Sequence, residues 1–394
     1  VKILVLSFYF RPDLSAGSFR TTALVDALRS VLSADSRIDV ITTLPNRYHS
    51  FTADAPVTEH DANVSVTRIA LPAHRNGLAD QSRSFLAFSR AVREKTAGAS
   101  YDVVFATSSR LMTAVLGAWI ARQRHARLYL DIRDIFVDTI QEALPRRLSW
   151  FARPVFARLE KWAVRRASTV NLVSPGFSQY FIPRYPGQRF AYHTNGVDDE
   201  FISSPTPSDR ADSDAGRPIT VLYAGNVGEG QGLHAIIPQL ASALADRVRF
   251  RVIGAGGRMS ALRSAISASG VTNVELLDPL PRAELIAEYR SADVLFLHLN
   301  AYEAFKKVLP SKIFEYAATG KPVWAGVAGY AAEFITAEVC NSAVFPPCDV
   351  DAALRAFARL TIRDSPRTTF TEKYARSRIS RAMAEDILAV AGGG

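Results

Sequence analysis

Lys312 and Glu315 are three residues apart, close enough to share one turn of a helix. Around them, residues 309–322 read Leu-Pro-Ser-Lys-Ile-Phe-Glu-Tyr-Ala-Ala-Thr-Gly-Lys-Pro. Pro310 discourages helix before it, Ser311 suits an N-cap, and Gly320 with Pro322 ends the run. Ile313, Phe314 and Ala317 supply an apolar side for packing. A helix starting at Lys312 turns backbone N–H groups and a positive dipole end toward whatever sits before it. Lys312 adds a full charge there, and Glu315 a carboxylate able to grip a pair of hydroxyls. An anion beside a diol describes the diphosphate and ribose of a nucleotide sugar. The same spacing also suits an ordinary capped helix with solvated Lys and Glu.

Two glycine-rich loops offer a second kind of chemistry. Residues 225–232, Gly-Asn-Val-Gly-Glu-Gly-Gln-Gly, follow a strand at 219–224 and precede a helix at 233–244, the order that cradles phosphate. The spacing is not that of a dinucleotide fingerprint, and Gly-Lys-Ser/Thr of a P-loop is absent. Gly254-Ala255-Gly256-Gly257-Arg258 repeats the arrangement after a strand at 248–253. In the first half, Ser15-Ala16-Gly17-Ser18 makes a small-residue loop where Gly17 lets a ligand approach, although a plain turn fits equally. Asp131-Ile132-Arg133-Asp134 closes a strand at 128–132. Those charges suit either an acceptor hydroxyl or an internal Arg–Asp pair fixing a loop. His298, alone at a strand end, reads as a structural hydrogen-bonding group.

These residues need strands and helices in strict alternation to hold them. Apolar β-rich runs at 1–6, 38–42, 101–106, 128–132 and 169–173 alternate with helical stretches through 28 and over 111–122. A weaker strand is expected at 64–69. Residues 1–10 read as a buried first strand rather than a signal-peptide core, because Arg11-Pro12-Asp13 follows. The pattern restarts at 219 and continues through strands at 274–277, 294–297 and 322–325, with helices at 285–291 and 331–337. The tail from Asp351 is expected to be helical nearly to its end. The expected fold is α/β, with two doubly wound Rossmann-like domains facing a cleft, where ligands gather at the carboxyl ends of strands. The expected divisions are a domain over 1–203, a linker over 204–217, a second domain over 218–370, and a helix over 371–394 packing back on the first domain.

At 394 residues, with 48% hydrophobic and 22% charged, the chain has the composition of a soluble globular protein of two domains. Its longest apolar run, 111–121, is too short to span a bilayer. Cys340 and Cys348 lack zinc-type spacing, which argues against a metal site and fits a reducing cytoplasm. The net charge of +9 favours an anionic partner, either a phosphorylated small molecule or an anionic membrane surface. Nucleic acid comes last, for want of a zinc finger, an RNP-type motif or a basic arm. Residues 145–166 interleave Arg146, Arg147, Arg153, Arg158, Lys161, Arg165 and Arg166 with Leu148, Trp150, Phe151, Val155, Phe156, Leu159 and Trp162. Such a segment suits an anionic membrane surface, and equally a helix that buries its apolar side.

Taken together, these pieces resemble the GT-B glycosyltransferases, and more closely the retaining family 4, the glycosyl transferases group 1 type. The resemblance rests on Tyr9-Phe10-Arg11-Pro12 with Gly17, Arg133-Asp134, Leu159-Glu160-Lys161-Trp162, Val173-Ser174-Pro175-Gly176 and Asn195-Gly196-Val197-Asp198. In the second half it rests on Tyr223-Ala224-Gly225-Asn226, Gln231-Gly232-Leu233, Gly254-x-Gly256, and the segment from Pro310 through Glu315 to Val323. It implies a cytoplasmic, metal-independent and cofactor-free enzyme of bacterial surface-polysaccharide assembly, touching the inner membrane face through 145–166. It would move a sugar from a nucleotide-sugar donor, UDP-linked by expectation, to a saccharide or lipid-linked acceptor with retention. Lys312, Glu315, Arg133 and Asp134 would then act in catalysis. The donor would meet Gly225, Asn226, Gln231, Gly254, Gly256, Arg258 and Ser311 as well as Lys312 and Glu315. Ser15, Ala16, Gly17, Asp131 and Arg133 would face the acceptor. The family's first signature glutamate is Lys307 here, and its phosphate-binding basic pair is Asn226 and Gln231. A sugar-nucleotide epimerase of the same architecture and a non-catalytic nucleotide binder are the alternatives.

Overall fold

A computed structural model describes residues 1–13, 15–45, 55–71, 78–108, 111–137, 146–202 and 216–392. Two compact units emerge, one of residues 1–195 with 376–394, the other of 196–375.

The first unit is built on eight strands: β1 (Lys2–Leu6), β2 (Arg37–Thr43), β3 (Thr58–Asp61), β4 (Val64–Ile69), β5 (Val103–Ser108), β6 (Arg127–Ile132), β7 (Thr169–Leu172) and β8 (Phe190–Ala191). They lie in the order β3-β4-β2-β1-β5-β6-β7-β8, parallel throughout except for the antiparallel β3–β4 pair. β1 and β5 are apolar on both faces because helices cover both sides of the sheet, and their near-continuous burial follows. Strand order reverses between β1 and β5, the switch point at which doubly wound sheets open for ligands. Ser15 and the first turn of helix Ala16–Val31, where the sequence suggests a loop, therefore lie beside the carboxyl ends of β5 and β6. The weak strand expected at 64–69 is an inner strand, paired with β2 along its whole length.

Helix Arg376–Gly392 belongs to this unit. Met383, Ala384, Ile387 and Val390 enter the core formed by Leu24, Val25 and Leu28 of helix Ala16–Val31 with the β1 and β2 side chains. The positions 383, 384, 387 and 390, related by steps of three and four, form a helical apolar stripe.

The second unit has six parallel strands: β9 (Ile219–Ala224), β10 (Val248–Ile253), β11 (Val274–Leu277), β12 (Val294–His298), β13 (Val323–Gly326) and β14 (Ser342–Phe345). Their order is β11-β10-β9-β12-β13-β14, reversing between β9 and β12. Side chains alternate strictly between two cores. Val221, Tyr223, Val294, Phe296 and Trp324 face helices Leu233–Ala243 and Val350–Phe357. Leu222, Ala224, Leu295, Leu297, Val323 and Ala325 face helices Arg282–Ser291, Lys312–Ala318 and Tyr330–Glu338.

Two expectations are revised. The tail is not one helix: it breaks into Val350–Phe357, Thr368–Lys373 and Arg376–Gly392. Residues 358–367 instead cross the C-terminal end of the Lys312–Ala318 helix. There Arg367, buried, donates to the carbonyls of Ala317, Lys321 and Cys340. Secondly, the units divide after Asn195 and after Ala375, not at 204–217, so residues 196–202 and 371–375 lie in the second unit. Residues 203–215, most of the expected linker, fall outside the described residues.

Candidate functional site

The Lys312–Ala318 helix follows β12 and packs its Ile313, Phe314 and Ala317 side into the second unit's core. Gly320, at φ +78°, ends it as expected of glycine there. Ser311 precedes the helix in helical backbone conformation, and its side chain makes no capping hydrogen bond. The N-cap expectation fails for that reason: a capping oxygen reaches back only from an extended backbone.

Lys312 is brought to the end of β9, with Glu315 beside it. The Lys312 stem lies against Gly225: a Cβ there would stand 2.3 Å from Cε and 3.2 Å from Nζ. Tyr316 fixes this approach, since its hydroxyl accepts the Ala224 N–H at 3.1 Å. Lys312 Nζ sits 3.3 Å from the Tyr289 hydroxyl and 3.9 Å from Glu315 Oε2. The Tyr289 hydroxyl in turn donates to Glu315 Oε2 at 3.1 Å. Burial pushes the Lys312 ammonium below its ordinary pKa, against the pull of Glu315. Burial opposes the Glu315 charge too, but Lys312 and Arg282 outweigh it and hold the carboxyl below its usual range. Arg282 Nη1 reaches Glu315 Oε1 at 3.3 Å. A carboxylate offers about four lone-pair positions, so after Tyr289 and Arg282 about two remain, enough for a vicinal diol.

The two glycine loops interlock. Gly225 donates its N–H to Ile253 O at 2.8 Å, and Val227 donates to Ala255 O at 2.9 Å. A Cβ on Gly254 would come within 1.8 Å of Gly225 O, and one on Gly256 within 2.4 Å of Val227 O. Gly254 and Gly256 thus serve loop-to-loop packing. The Gly225 N–H, expected to face a diphosphate, is consumed by the sheet, which leaves Lys312 as the cation at this loop's start.

Asn226 and Gln231 hold the first loop closed: Asn226 Nδ2 donates to Gln231 Oε1 at 2.9 Å, and Gly228 N–H donates to the same oxygen at 3.2 Å. Arg258 pairs with Glu229, which also accepts from the Tyr302 hydroxyl at 2.8 Å. His298 is fully buried, with Nδ1 2.7 Å from Gln231 O and Nε2 accepting the Cys348 N–H at 3.0 Å. Those partners fix the Nδ1–H tautomer and an anchoring role.

In the first unit, Ser15 caps helix Ala16–Val31 by accepting the Ser18 N–H at 3.2 Å. Gly17 faces Arg133: a Cβ there would stand 2.4 Å from Nη1. Ala16, Gly17 and Arg133 are therefore neighbours, while Asp134 is exposed two residues beyond β6. Asp131 is fully buried. Its partner is Arg20, which donates from Nε at 3.0 Å and Nη2 at 2.9 Å, joined by Thr107 at 3.1 Å and Asn171 at 2.8 Å. The internal Arg–Asp reading holds for Asp131, with a different arginine. Arg20 also donates to the Thr194 and His193 carbonyls, both at 2.7 Å.

Residues 18–196 match the glycosyl transferase 4-like domain, and residues 218–362 match glycosyl transferases group 1. The chain belongs to the group 1, family 4 glycosyltransferases. Its fold is GT-B, and it is a nucleotide-sugar-dependent transferase. Solved structures agree on the fold at low identity. Sucrose-phosphate synthase from Thermosynechococcus elongatus is 15% identical, at TM-score 0.64, over 99% of this chain and 96% of that one. HepE from Anabaena, in complex with UDP, is 19% identical, at TM-score 0.61, over 100% and 98%. The lipopolysaccharide outer core galactosyltransferase WaaB is 10% identical, at TM-score 0.55, over 98% and 95%. No curated protein sequence matches the chain significantly.

Within this glycosyltransferase, Lys307 lies in a short 3-10 turn, Phe305–Lys307, ahead of the Lys312 helix. Asn226 and Gln231, set against a basic pair by the resemblance, form a neutral hydrogen bond with each other. Arg20, Arg282 and Tyr289 were missed by sequence reasoning. Arg282 and Tyr289 sit on one helix at a spacing of seven, a pattern that reads as any amphipathic face, and Arg20 has no neighbouring acid in sequence.

Proposed function

We propose that this enzyme transfers a sugar from a UDP-linked donor to a saccharide or lipid-linked acceptor, with retention, in bacterial surface-polysaccharide assembly. The observation that carries the donor site is the meeting of Lys312 with Gly225 at the carboxyl end of β9, with Glu315 beside that lysine. Glu315 grips the ribose diol. Lys312 meets the diphosphate and stabilises charge growing on it as the sugar departs, help worth several kcal/mol. The acceptor oxygen bonds to the anomeric carbon on the face the phosphate leaves. The bond from that carbon to the phosphate oxygen breaks, and the acceptor's proton passes to a phosphate oxygen. A nucleoside diphosphate and a glycosylated acceptor result. Gly17, Arg133 and Asp134 serve the acceptor, and the buried Asp131–Arg20 pair positions the strand end beneath them. The UDP complex of HepE favours uracil as the base, and WaaB's lipopolysaccharide substrate favours a cell-surface acceptor.

Helix Arg146–Val164 supports contact with an anionic membrane: Arg153, Arg158 and Lys161 are exposed, with Val155 55% exposed among them. The nucleotide reading is tested by thermal unfolding against UDP, GDP, TDP, ADP, CMP and NAD. A rise in midpoint with UDP supports it, and a rise with NAD alone overturns it. Co-sedimentation with phosphatidylglycerol vesicles tests the membrane contact, which Arg153→Glu with Arg158→Glu should weaken.

A further inference from the structure

Arg282 stands at the start of helix Arg282–Ser291 and reaches three carboxylates, two from residues 198–200 and one from Glu315. Its Nη1 meets Glu315 at 3.3 Å, its Nη2 Asp198 at 2.6 Å and its Nε Glu200 at 2.9 Å. Each nitrogen has its own acceptor, so the planar fork is fixed in orientation as a lysine would not be. Phe201 closes over the group: the guanidinium carbon lies 5.1 Å from its ring centroid, and the same ring stacks on Tyr289 at 6.1 Å. Tyr289, seven residues on along the same helix, meets the other oxygen of Glu315. One helix thus grips both oxygens of the carboxylate, while residues 198–201 hold that helix's arginine in place.

We propose that Arg282, aimed by Asp198 and Glu200, is the positioning residue for Glu315. It fixes the carboxylate plane so that its remaining lone pairs meet the ribose diol of the donor. The inference rests on the donor site assigned above and adds residues which that assignment did not contain. Two of its acids belong to the stretch Asp198-Asp199-Glu200, whose short helix Asp199–Ile202 packs in the same unit. This gives the Asn-Gly-Val-Asp turn a function: Asp198 is the last residue of that turn and the shortest contact Arg282 makes. An aliphatic side chain at 282 would leave Glu315 held on one oxygen only, able to swing about its terminal torsion.

The test is UDP binding by calorimetry, with the thermal midpoint recorded for every variant. A charge-assisted hydrogen bond lost from a binding group weakens affinity about 10-fold or more. Arg282→Met should therefore weaken UDP about 10-fold, and Arg282→Lys and Asp198→Asn by about 3-fold each, at temperatures where all remain folded. Because Arg282 acts through Glu315, Arg282→Met added to Glu315→Gln should cost no further affinity. A purely structural Arg282 would lower the midpoint and leave UDP affinity unchanged in Asp198→Asn and Arg282→Lys; that result overturns the proposal. Additive losses in the double variant overturn it too. If Glu315→Gln itself binds UDP like the parent, the donor site is misplaced and the inference falls with it. If Glu315→Gln weakens UDP and the Arg282 variants do not, the inference alone fails.

Discussion

Gly225 presents bare backbone to the Lys312 side chain, so closely that a methyl group there would stand 2.3 Å from Cε. Gly225 also holds φ +150°, a conformation side chains rarely adopt. The lysine's place at the end of β9 therefore depends on glycine twice over. Gly225→Ala should destabilise the protein by about 1–3 kcal/mol through backbone strain. It should also displace Lys312 and weaken UDP binding. Denaturant unfolding and calorimetry on the same preparation check both effects.

The buried Arg20–Asp131 pair makes a second prediction, on stability. Arg20 carries two hydrogen bonds to Asp131 and two to carbonyls of the turn that ends the first unit. Arg20→Met alone leaves a buried carboxylate uncompensated and should cost about 3–5 kcal/mol. Arg20→Met combined with Asp131→Leu should recover part of that loss. UDP affinity should be unchanged wherever the variants are folded, because the proposed donor groups, Lys312 and Glu315, lie in the other unit.

A third prediction concerns pH. Burial pulls His298 down to about 4 from its ordinary 6.5, against the Gln231 carbonyl, which favours the protonated ring, and the Cys348 N–H needs Nε2 without a proton. Between those values the unfolded chain takes up a proton that the folded chain refuses, so stability falls as pH drops from about 6.5 to 4. The full loss from this group is about 3 kcal/mol. His193 is also held low by burial, partly offset by Asp386, and adds to the same slope. His298→Asn keeps a donor near the Nδ1 position without titrating, and should flatten stability against pH across that window.

Much of this architecture is written in local sequence. Apolar runs such as 1–6, 219–224 and 294–297 became central strands because burial on both faces demands continuous apolar residues. Gly320 ended its helix for the reason glycine usually does. What escaped was long-range pairing. Arg20 finds Asp131 across 111 residues, and Arg367 crosses back to the carbonyls of Ala317 and Lys321. No periodicity encodes such partners. The tail looked continuously helical because helix propensity does not register the tertiary hydrogen bonds that bend 358–367 across the Lys312 helix. The sequence suggests that the Gly225 N–H meets phosphate; in the structure that N–H is taken by Ile253, and the glycine leaves room for Lys312.

Glu315 should read the ribose. The parent is expected to prefer UDP over its 2′,3′-dideoxy analogue by about 10-fold or more, the usual cost of an unpaired charged acceptor. Glu315→Gln should lose most of that preference. Competition calorimetry with the two nucleotides gives the ratio directly.

The central claim is that Lys312 meets the donor's diphosphate, and comparing UDP with uridine tests it most directly. The account predicts that Lys312→Ala weakens UDP about 10- to 100-fold while uridine affinity holds, so the ratio of the two collapses. A Lys312→Ala protein that keeps the parent's ratio of UDP to uridine affinity would contradict it.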